Sequence, residues 1–322
     1  MEYNIKYMKR CIEIASKEIG NTYPNPLVGC VIVHENKIIG EGSHKRYGGK
    51  HAEVNAVNSV ENKDLLKEST LYVNLEPCNH FGKTPPCTDL IIKYKIQNII
   101  IGSMDPNSMV AGGGIQRLKD NGCNVEYGVL KDECDYLNKR FFTYHKLKRP
   151  YIILKWAETL DRFISPKKQK NNRPYWISNI YSRQLVHKWR SQEHAILIGG
   201  KTYENDSPIL NSRLWDNNNP EKFILTNNKN FKDSNYNKIN DEDLFTVNEI
   251  SDYLYNKNIQ SIIVEGGSKT IENFINKGIW DEARIIQNSK KLNDGIKSPK
   301  INGRLKNEFQ LMDDNIKIIY PI

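Results

Sequence analysis

The chain has 322 residues, 38% hydrophobic and 26% charged, with a formal net charge of +9 and six cysteines. That length accommodates two domains with separate cores, and the composition is a soluble, globular balance with no run of like charges long enough for a disordered tail. Six cysteines in a chain this long do not make a disulfide framework, and the positive charge fits nucleic acid or a small anionic substrate without choosing between them.

The opening stretch MEYNIKYMKRCIEIASKEIG places Ile5, Met8, Cys11, Ile12, Ala15 and Ile19 at helical spacing, with Gly20 as the expected C-cap. Lys9, Arg10 and Glu13 interrupt any apolar run, so the stretch does not read as a secretory signal. No segment approaches the ~18 apolar residues of a membrane span, and a cytoplasmic location is expected. LVGCVIVH (27–34) and KIIGEG (37–42), parted around ENK, predict a β-hairpin. A helix follows from near His51, then a buried strand at 70–77 and a helix at 87–95. Further along come a strand at 97–103, a helix at 113–122, a strand at 123–128 and a helical stretch at 131–146. After Pro150 the pattern restarts with a strand at 151–157, a helix at 182–192 and strands at 195–200 and 222–226. The Asn-rich stretch 227–243 reads as a surface loop, followed by a strand at 260–267, a helix at 268–278 and a strand at 283–287. Strands alternating with helices imply an α/β fold, divided near 146–150 into domains 1–146 and 150–322 without an internal repeat.

HAEVNAV (51–57) and LEPCNHFGKTPPC (75–87) carry the chemistry. His51, Cys78 and Cys87 offer the nitrogen and thiolate donors that zinc prefers, and a three-ligand catalytic site keeps its fourth position for water. His51 and Cys87 each open a predicted helix, where partial positive charge favours thiolate and hydroxide. Glu53, two residues past His51, is placed to move protons without binding metal. The pattern is the H-x-E…P-C-x-x-C zinc-deaminase signature with eight residues rather than two between the cysteines. A structural zinc site would want a fourth ligand, for which His80 is the local candidate; it reads better as a pocket or loop residue.

YPNPLVGCVIV, HAEVNAV, LEPCNHFGKTPPC and DPNSMVAGGGI together resemble the deaminase half of the bifunctional riboflavin-biosynthesis deaminase–reductase family, whose long insert NHFGKTPP explains the cysteine spacing. The resemblance implies a cytidine-deaminase-like three-layer fold. Its substrate would be 2,5-diamino-6-ribosylamino-4(3H)-pyrimidinone 5′-phosphate, attacked by zinc-activated water at the carbon bearing the 2-amino group, with Glu53 relaying protons. It further implies that Asn25, His44, Lys83, Asp105 and Asn107 hold base, ribose or phosphate. Read from the residues alone, Asn25 is equally a turn residue between prolines and Lys83 a loop cation. On the same terms His44 is a surface histidine, and Asp105 and Asn107 cap a turn.

Beyond residue 150 the strand-end glycines of LIGGKT (197–202) and VEGGS (264–268) offer backbone amides to a phosphate, while the dinucleotide fingerprint G-x-G-x-x-G is absent. YIILKWAETLD, YWIS, AILIGGKTYENDSPILNSR and IIVEGGS resemble the reductase half of the same family, which implies a dihydrofolate-reductase-like α/β fold and NADPH-dependent reduction of ribosyl to ribityl. Matched positions would set Arg190, Leu210, Arg213 and Glu265 on substrate, with Lys155 lining the pocket. Trp176, Thr202, Asp206, Gly267 and Ser268 would meet NADPH. Arg190 and Arg213 suit a ribose phosphate through bidentate binding, and read otherwise as surface charges. Arg162 stands where the family has glycine, Ser207 where it has Asn, and KKLNDG (290–295) replaces a P-x-L-I-G-G-like stretch. The resemblance also implies a homodimer acting on a small phosphorylated pyrimidine, without nucleic acid or membrane partners. The alternatives are a tRNA-type deaminase, a family member whose second domain has lost reduction, and a zinc-stabilised binding protein.

Overall fold

The structure, a computed structural model, describes residues 4–106, 111–167, 174–216, 218–239 and 246–322. The chain divides into two compact units, Met1–Leu147 and Lys148–Ile322.

In the first unit a five-stranded sheet runs in the order β2-β1-β3-β4-β5. β1 (Gly29–His34) and β2 (Lys37–Ser43) form the expected hairpin, closed by Glu35 and Asn36, both at positive φ (46° and 62°) as a two-residue turn requires. β3 (Thr70–Leu75) is antiparallel to β1, while β4 (Asn98–Ser103) and β5 (Asn124–Tyr127) continue in parallel. Alternate residues of these strands enter two cores. Ile32, Leu71, Val73, Ile99 and Ile101 pack with α2 (Ala52–Ser59), α3 (Cys87–Lys93) and α4 (Gly113–Asp120). Val31, Tyr72 and Ile100 pack on the other face with Met8 and Cys11 of α1 (Ile5–Ser16) and Cys134 of α5 (Lys131–Leu137). Burial on both faces is why the strands read as continuous apolar runs rather than alternating ones. At Gly29 a Cβ would lie 2.2 Å from Cys11 O, so glycine there lets α1 sit directly on the sheet. α1 ends at Ser16, a turn before the expected Gly20 cap, and α6 (Lys139–Leu147) closes the unit.

The second unit is built on an eight-stranded sheet in the order β10-β9-β8-β11-β6-β12-β15-β14. β6 (Tyr151–Thr159), β8 (Ala195–Gly199), β9 (Glu221–Leu225), β10 (Asn237–Ile239), β11 (Ser261–Val264) and β12 (Glu282–Asn288) are parallel. α7 (Ile180–Ser191), α8 (Gly200–Asp206), α9 (Val247–Asn256) and α10 (Ser268–Lys277) are its helices. β7 (Phe163–Ser165) pairs with β13 (Ile296–Lys297) as a separate ribbon. β14 (Arg304–Leu311) and β15 (Asp314–Tyr320) add an antiparallel hairpin at the sheet edge. β10 corrects the loop expected over 227–243: Asn237–Ile239 joins the sheet beside β9 although only Ile239 of it is fully buried. Among the described residues no helix is long and apolar enough to cross a membrane.

Candidate active sites

Three elements of the first unit converge on one point. His51 is the N-cap of α2, Cys87 is the first residue of α3, and Cys78 lies just past the end of β3. Their donor atoms all lie within 4.8 Å of one another. His51 Nδ1 is 3.3 Å from Cys87 Sγ and 3.5 Å from Cys78 Sγ, close to the about 3.3–3.8 Å edges of a tetrahedron built on zinc–nitrogen and zinc–sulfur bonds. The donor set fits zinc in both chemistry and spacing. Thr84 Oγ1 lies 3.2 Å from His51 Nε2, a contact that fixes the ring while Nδ1 faces the sulfurs. The Cys87 N–H donates to Cys78 Sγ at 3.3 Å. Hydrogen bonding from Cys87 pulls Cys78 down to about 4 against the effect of burial, with His51 helping. Cys87 is pushed up by Cys78 and by burial.

Glu53 is in the first turn of α2 and is 3% exposed. Burial, and then the negative charge at Cys78, push its carboxyl up to about 7, where it accepts and releases a proton with comparable ease. His80 is exposed and outside the ligand cluster.

Around this centre Asn25 Nδ2 lies 2.9 Å from His44 Nε2, and His44 Nδ1 lies 3.1 Å from Lys50 O. The His44 Nδ1–H therefore donates to the carbonyl and Nε2 accepts from the amide, a neutral ring whose pKa burial lowers. Its ring centroid is 5.4 Å from that of His51, so Asn25 and His44 border the metal ligands. Lys83 Nζ sits 3.9 Å above the ring of Tyr47, on the exposed loop between the cysteines. The Asp105 N–H donates to Glu76 Oε2 at 3.1 Å; Asn107 lies outside the described residues. Thr84 and Glu76 escaped the sequence reading. The one available signal was a carboxylate placed directly after a buried strand and before Pro77–Cys78.

In the second unit Lys155 of β6, Arg190 of α7 and Glu265, just past β11, meet in a buried cluster. Arg190 donates to Glu265 from Nε (2.8 Å) and Nη2 (2.7 Å), and Lys155 Nζ donates at 3.2 Å. Burial alone would raise Glu265; Arg190 and Lys155 overcome it and hold the carboxyl at about 2. Arg190 Nη1 also donates to Asn211 O at 3.3 Å, and Arg213 Nη1 to Asn211 Oδ1 at 2.7 Å. Leu210, buried beside them, has φ 52°. His187, one helical turn before Arg190, is 5% exposed, and burial, then Arg190 and Arg213, push it down to about 4. It too was invisible in the sequence, where it is one histidine on an amphipathic helix.

Of the residues matched to NADPH, Thr202 and Gly267 lie together just past the ends of β8 and β11. Trp176 is exposed with the Arg183 guanidinium 4.7 Å from its ring centroid. Thr202 and Asp206 belong to α8, and Gly267 is the N-cap of α10. The Ser268 hydroxyl donates to Glu272 and to Lys297 O, each at 3.0 Å. A Cβ on Gly266 would lie 3.3 Å from Gly199 N, so the glycine pairs bring the ends of β8 and β11 together. Arg162 and Ser207 both occupy left-handed backbone, φ 65° and 40°; glycine and Asn, the residues that the resemblance led one to expect there, adopt it at least cost. The Arg162 guanidinium turns to Glu158, with Nε 3.6 Å from Oε1. KKLNDG wraps Asp161, whose carboxylate accepts from the N–H groups of Leu292 (3.1 Å) and Asn293 (2.7 Å).

Residues 1–103 match the family model of the cytidine and deoxycytidylate deaminase zinc-binding region, and residues 150–294 match the RibD C-terminal domain. The riboflavin biosynthesis protein RibD of Aquifex aeolicus is 34% identical over 323 residues, covering 92% of this chain and 89% of the relative. The chain belongs to the RibD family of riboflavin-biosynthesis proteins. Solved RibD structures agree with that membership. A Thermotoga maritima protein described as a diaminohydroxyphosphoribosylaminopyrimidine deaminase/5-amino-6-(5-phosphoribosylamino)uracil reductase superposes with TM-score 0.89 at 33% identity, covering 99% of this chain and 98% of its own. Acinetobacter baumannii RibD superposes with TM-score 0.89 at 27% identity and the same coverage. RibD relatives spanning both units do not favour a tRNA-type deaminase, which would account for the first unit only.

Proposed function

We propose that this RibD protein carries out two successive steps of riboflavin biosynthesis, deamination in the first unit and reduction in the second. The substrate would be 2,5-diamino-6-ribosylamino-4(3H)-pyrimidinone 5′-phosphate. The observation that carries the reading is the convergence of His51 Nδ1 and two cysteine sulfurs beside the buried Glu53, in a chain that aligns with RibD across both units. His51, Cys78 and Cys87 would hold zinc, which when bound makes a water molecule acidic enough to lose a proton near neutral pH. Glu53 would accept that proton and pass it to the ring nitrogen, then take the remaining proton of the added hydroxyl and deliver it to the departing amino group. Water and the amine thereby become a ring carbonyl and ammonia. A buried carboxyl in the first turn of the helix that His51 opens is placed both to take and to give a proton. Asn25, with its amide anchored through His44, would hydrogen-bond the pyrimidine, while Lys83, Asp105 and Asn107 hold ribose and phosphate.

In the second unit NADPH would supply hydride to C1 of the opened sugar. The residues supply binding, charge and a proton for the attached nitrogen. Arg190, Leu210, Arg213 and Glu265 would contact substrate, and Trp176, Thr202, Asp206, Gly267 and Ser268 the cofactor. Lys155 is buried, which lowers its pKa, while Glu265 opposes that shift; an ammonium in this setting gives up a proton readily. We place the reactions in the cytoplasm and the chain in a homodimer, both on the strength of the family resemblance. Zinc-loaded protein given the diaminopyrimidine phosphate should release ammonia without NADPH, and should oxidise NADPH only once deamination has occurred. Failure to release ammonia would refute the first step, and ammonia without NADPH oxidation the second.

A further inference from the structure

We infer that Glu76 is a positioning residue of the deaminase, locking the Asp105 backbone and the start of α4 to the turn that carries Cys78. The inference rests on the deaminase reading above and extends it to a residue that touches neither metal nor substrate.

Glu76 continues β3 by one residue, its N–H donating to Ser103 O at 2.8 Å, and it immediately precedes Pro77 and Cys78. Its side chain is buried and accepts four backbone hydrogen bonds. Oε2 accepts from Asp105 (3.1 Å) and Gly112 (3.0 Å), and Oε1 from Gly114 (2.9 Å) and Ile115 (3.2 Å). One oxygen thus gathers both ends of the 105–112 segment, and the other caps the first turn of α4. That helix needs an outside cap, because its N-cap is Gly112, at φ 79°, with no side chain to offer. A carboxylate at this end also meets the positive pole of the helix dipole.

The surrounding contacts make the block continuous. A Cβ on Gly114 would lie 2.2 Å from Pro77 O, so α4 is seated directly on the backbone before Cys78. Asn79 Nδ2 donates to Gly113 O at 3.1 Å, Thr88 Oγ1 to Asn79 Oδ1 at 3.3 Å, and the Thr88 N–H to Cys78 O at 3.2 Å. Both zinc-ligating turns, α4 and Asp105 are therefore joined by hydrogen bonds, with Glu76 at the junction. Four backbone donors occupy its carboxylate, which leaves it to position rather than to react. Its consequence is where Asp105 stands relative to the metal ligands.

Because each oxygen serves two donors, Glu76→Gln must turn its NH₂ group against one pair or the other. In the full-length zinc-loaded protein we expect KM for the diaminopyrimidine phosphate to rise about tenfold or more, with kcat changed by less than about threefold. Zinc should stay at one per chain, and NADPH-dependent reduction of the deaminated substrate should be unaltered. Hydrogen exchange should quicken at the Asp105–Gly112 or the Gly114–Ile115 amides. In an Asp105→Ala background the same substitution should add less than about twofold to KM, since the side chain whose placement Glu76 sets is then absent. An unchanged KM, independent effects of the two substitutions, or loss of zinc with the activity would each overturn the inference. If wild-type protein releases no ammonia from this substrate, the functional reading fails instead. Exchange at the four amides then decides the clamp, and unchanged rates refute it.

Discussion

Replacing Glu265 by Gln removes the one carboxylate that Arg190 and Lys155 share, leaving two buried cations side by side. Glu265 is held at about 2 against an ordinary 4.5, and each pKa unit corresponds to about 1.4 kcal/mol, so the carboxylate's interactions are worth about 3 kcal/mol. Lys155 limits the damage by shedding its proton, since burial already lowers its pKa and the opposing attraction of Glu265 is gone. Calorimetry of the full chain should show the second-unit transition falling by about 6–12 °C while the first stays in place. The sign of the pH dependence follows. A lysine with a depressed folded pKa binds more protons when unfolded, so the variant should regain stability as pH rises above neutrality, and more steeply than wild type. A variant whose second transition moves by less than about 2 °C, or that gains no stability with pH, would refute the reasoning.

Removing zinc with a chelator should abolish ammonia release and leave NADPH oxidation on ready-deaminated substrate intact, with zinc restoring the first activity; parallel loss of both would contradict the separation of the two chemistries. His187 and His194 are each held down to about 4, by burial first, against an ordinary 6.5. Both are neutral in the fold and take up protons when it opens, so a melting series should show the second unit losing stability as pH falls from about 6.5 to about 4. A flat series in that window would count against their burial. Arg162→Gly relieves left-handed backbone at the cost of a freer unfolded chain, and should shift stability by no more than about 1 kcal/mol. Because the guanidinium faces Glu158, reductase kcat/KM should change by less than about threefold; a large gain would mean that Arg162 obstructs the cofactor.

The donor set was legible because H-x-E and Pro–Cys fix chemistry at short range, and the first hairpin because Glu35–Asn36 lies between two apolar runs. Glu76 and His187 were not, since the groups that act on them are distant in sequence: Glu76 accepts from Gly112, Gly114 and Ile115, and the charge of Arg213 helps to lower His187. The departures at Arg162 and Ser207 were visible as mismatches, but only the backbone shows that both fall on left-handed residues. The β14–β15 hairpin was missed because β14 is almost wholly exposed and a register shift between Leu305 and Asn307 breaks its alternation. α9 carried a readable signal in Thr246 and Glu249, which form a capping box.

The most direct test compares wild-type and Glu53→Gln protein for zinc content and ammonia release on the same samples. The account predicts one zinc per chain in both proteins and deamination slowed by about 10²–10⁴-fold in the variant. Wild-type protein without tightly held zinc, or a variant that releases ammonia at the wild-type rate, would contradict it.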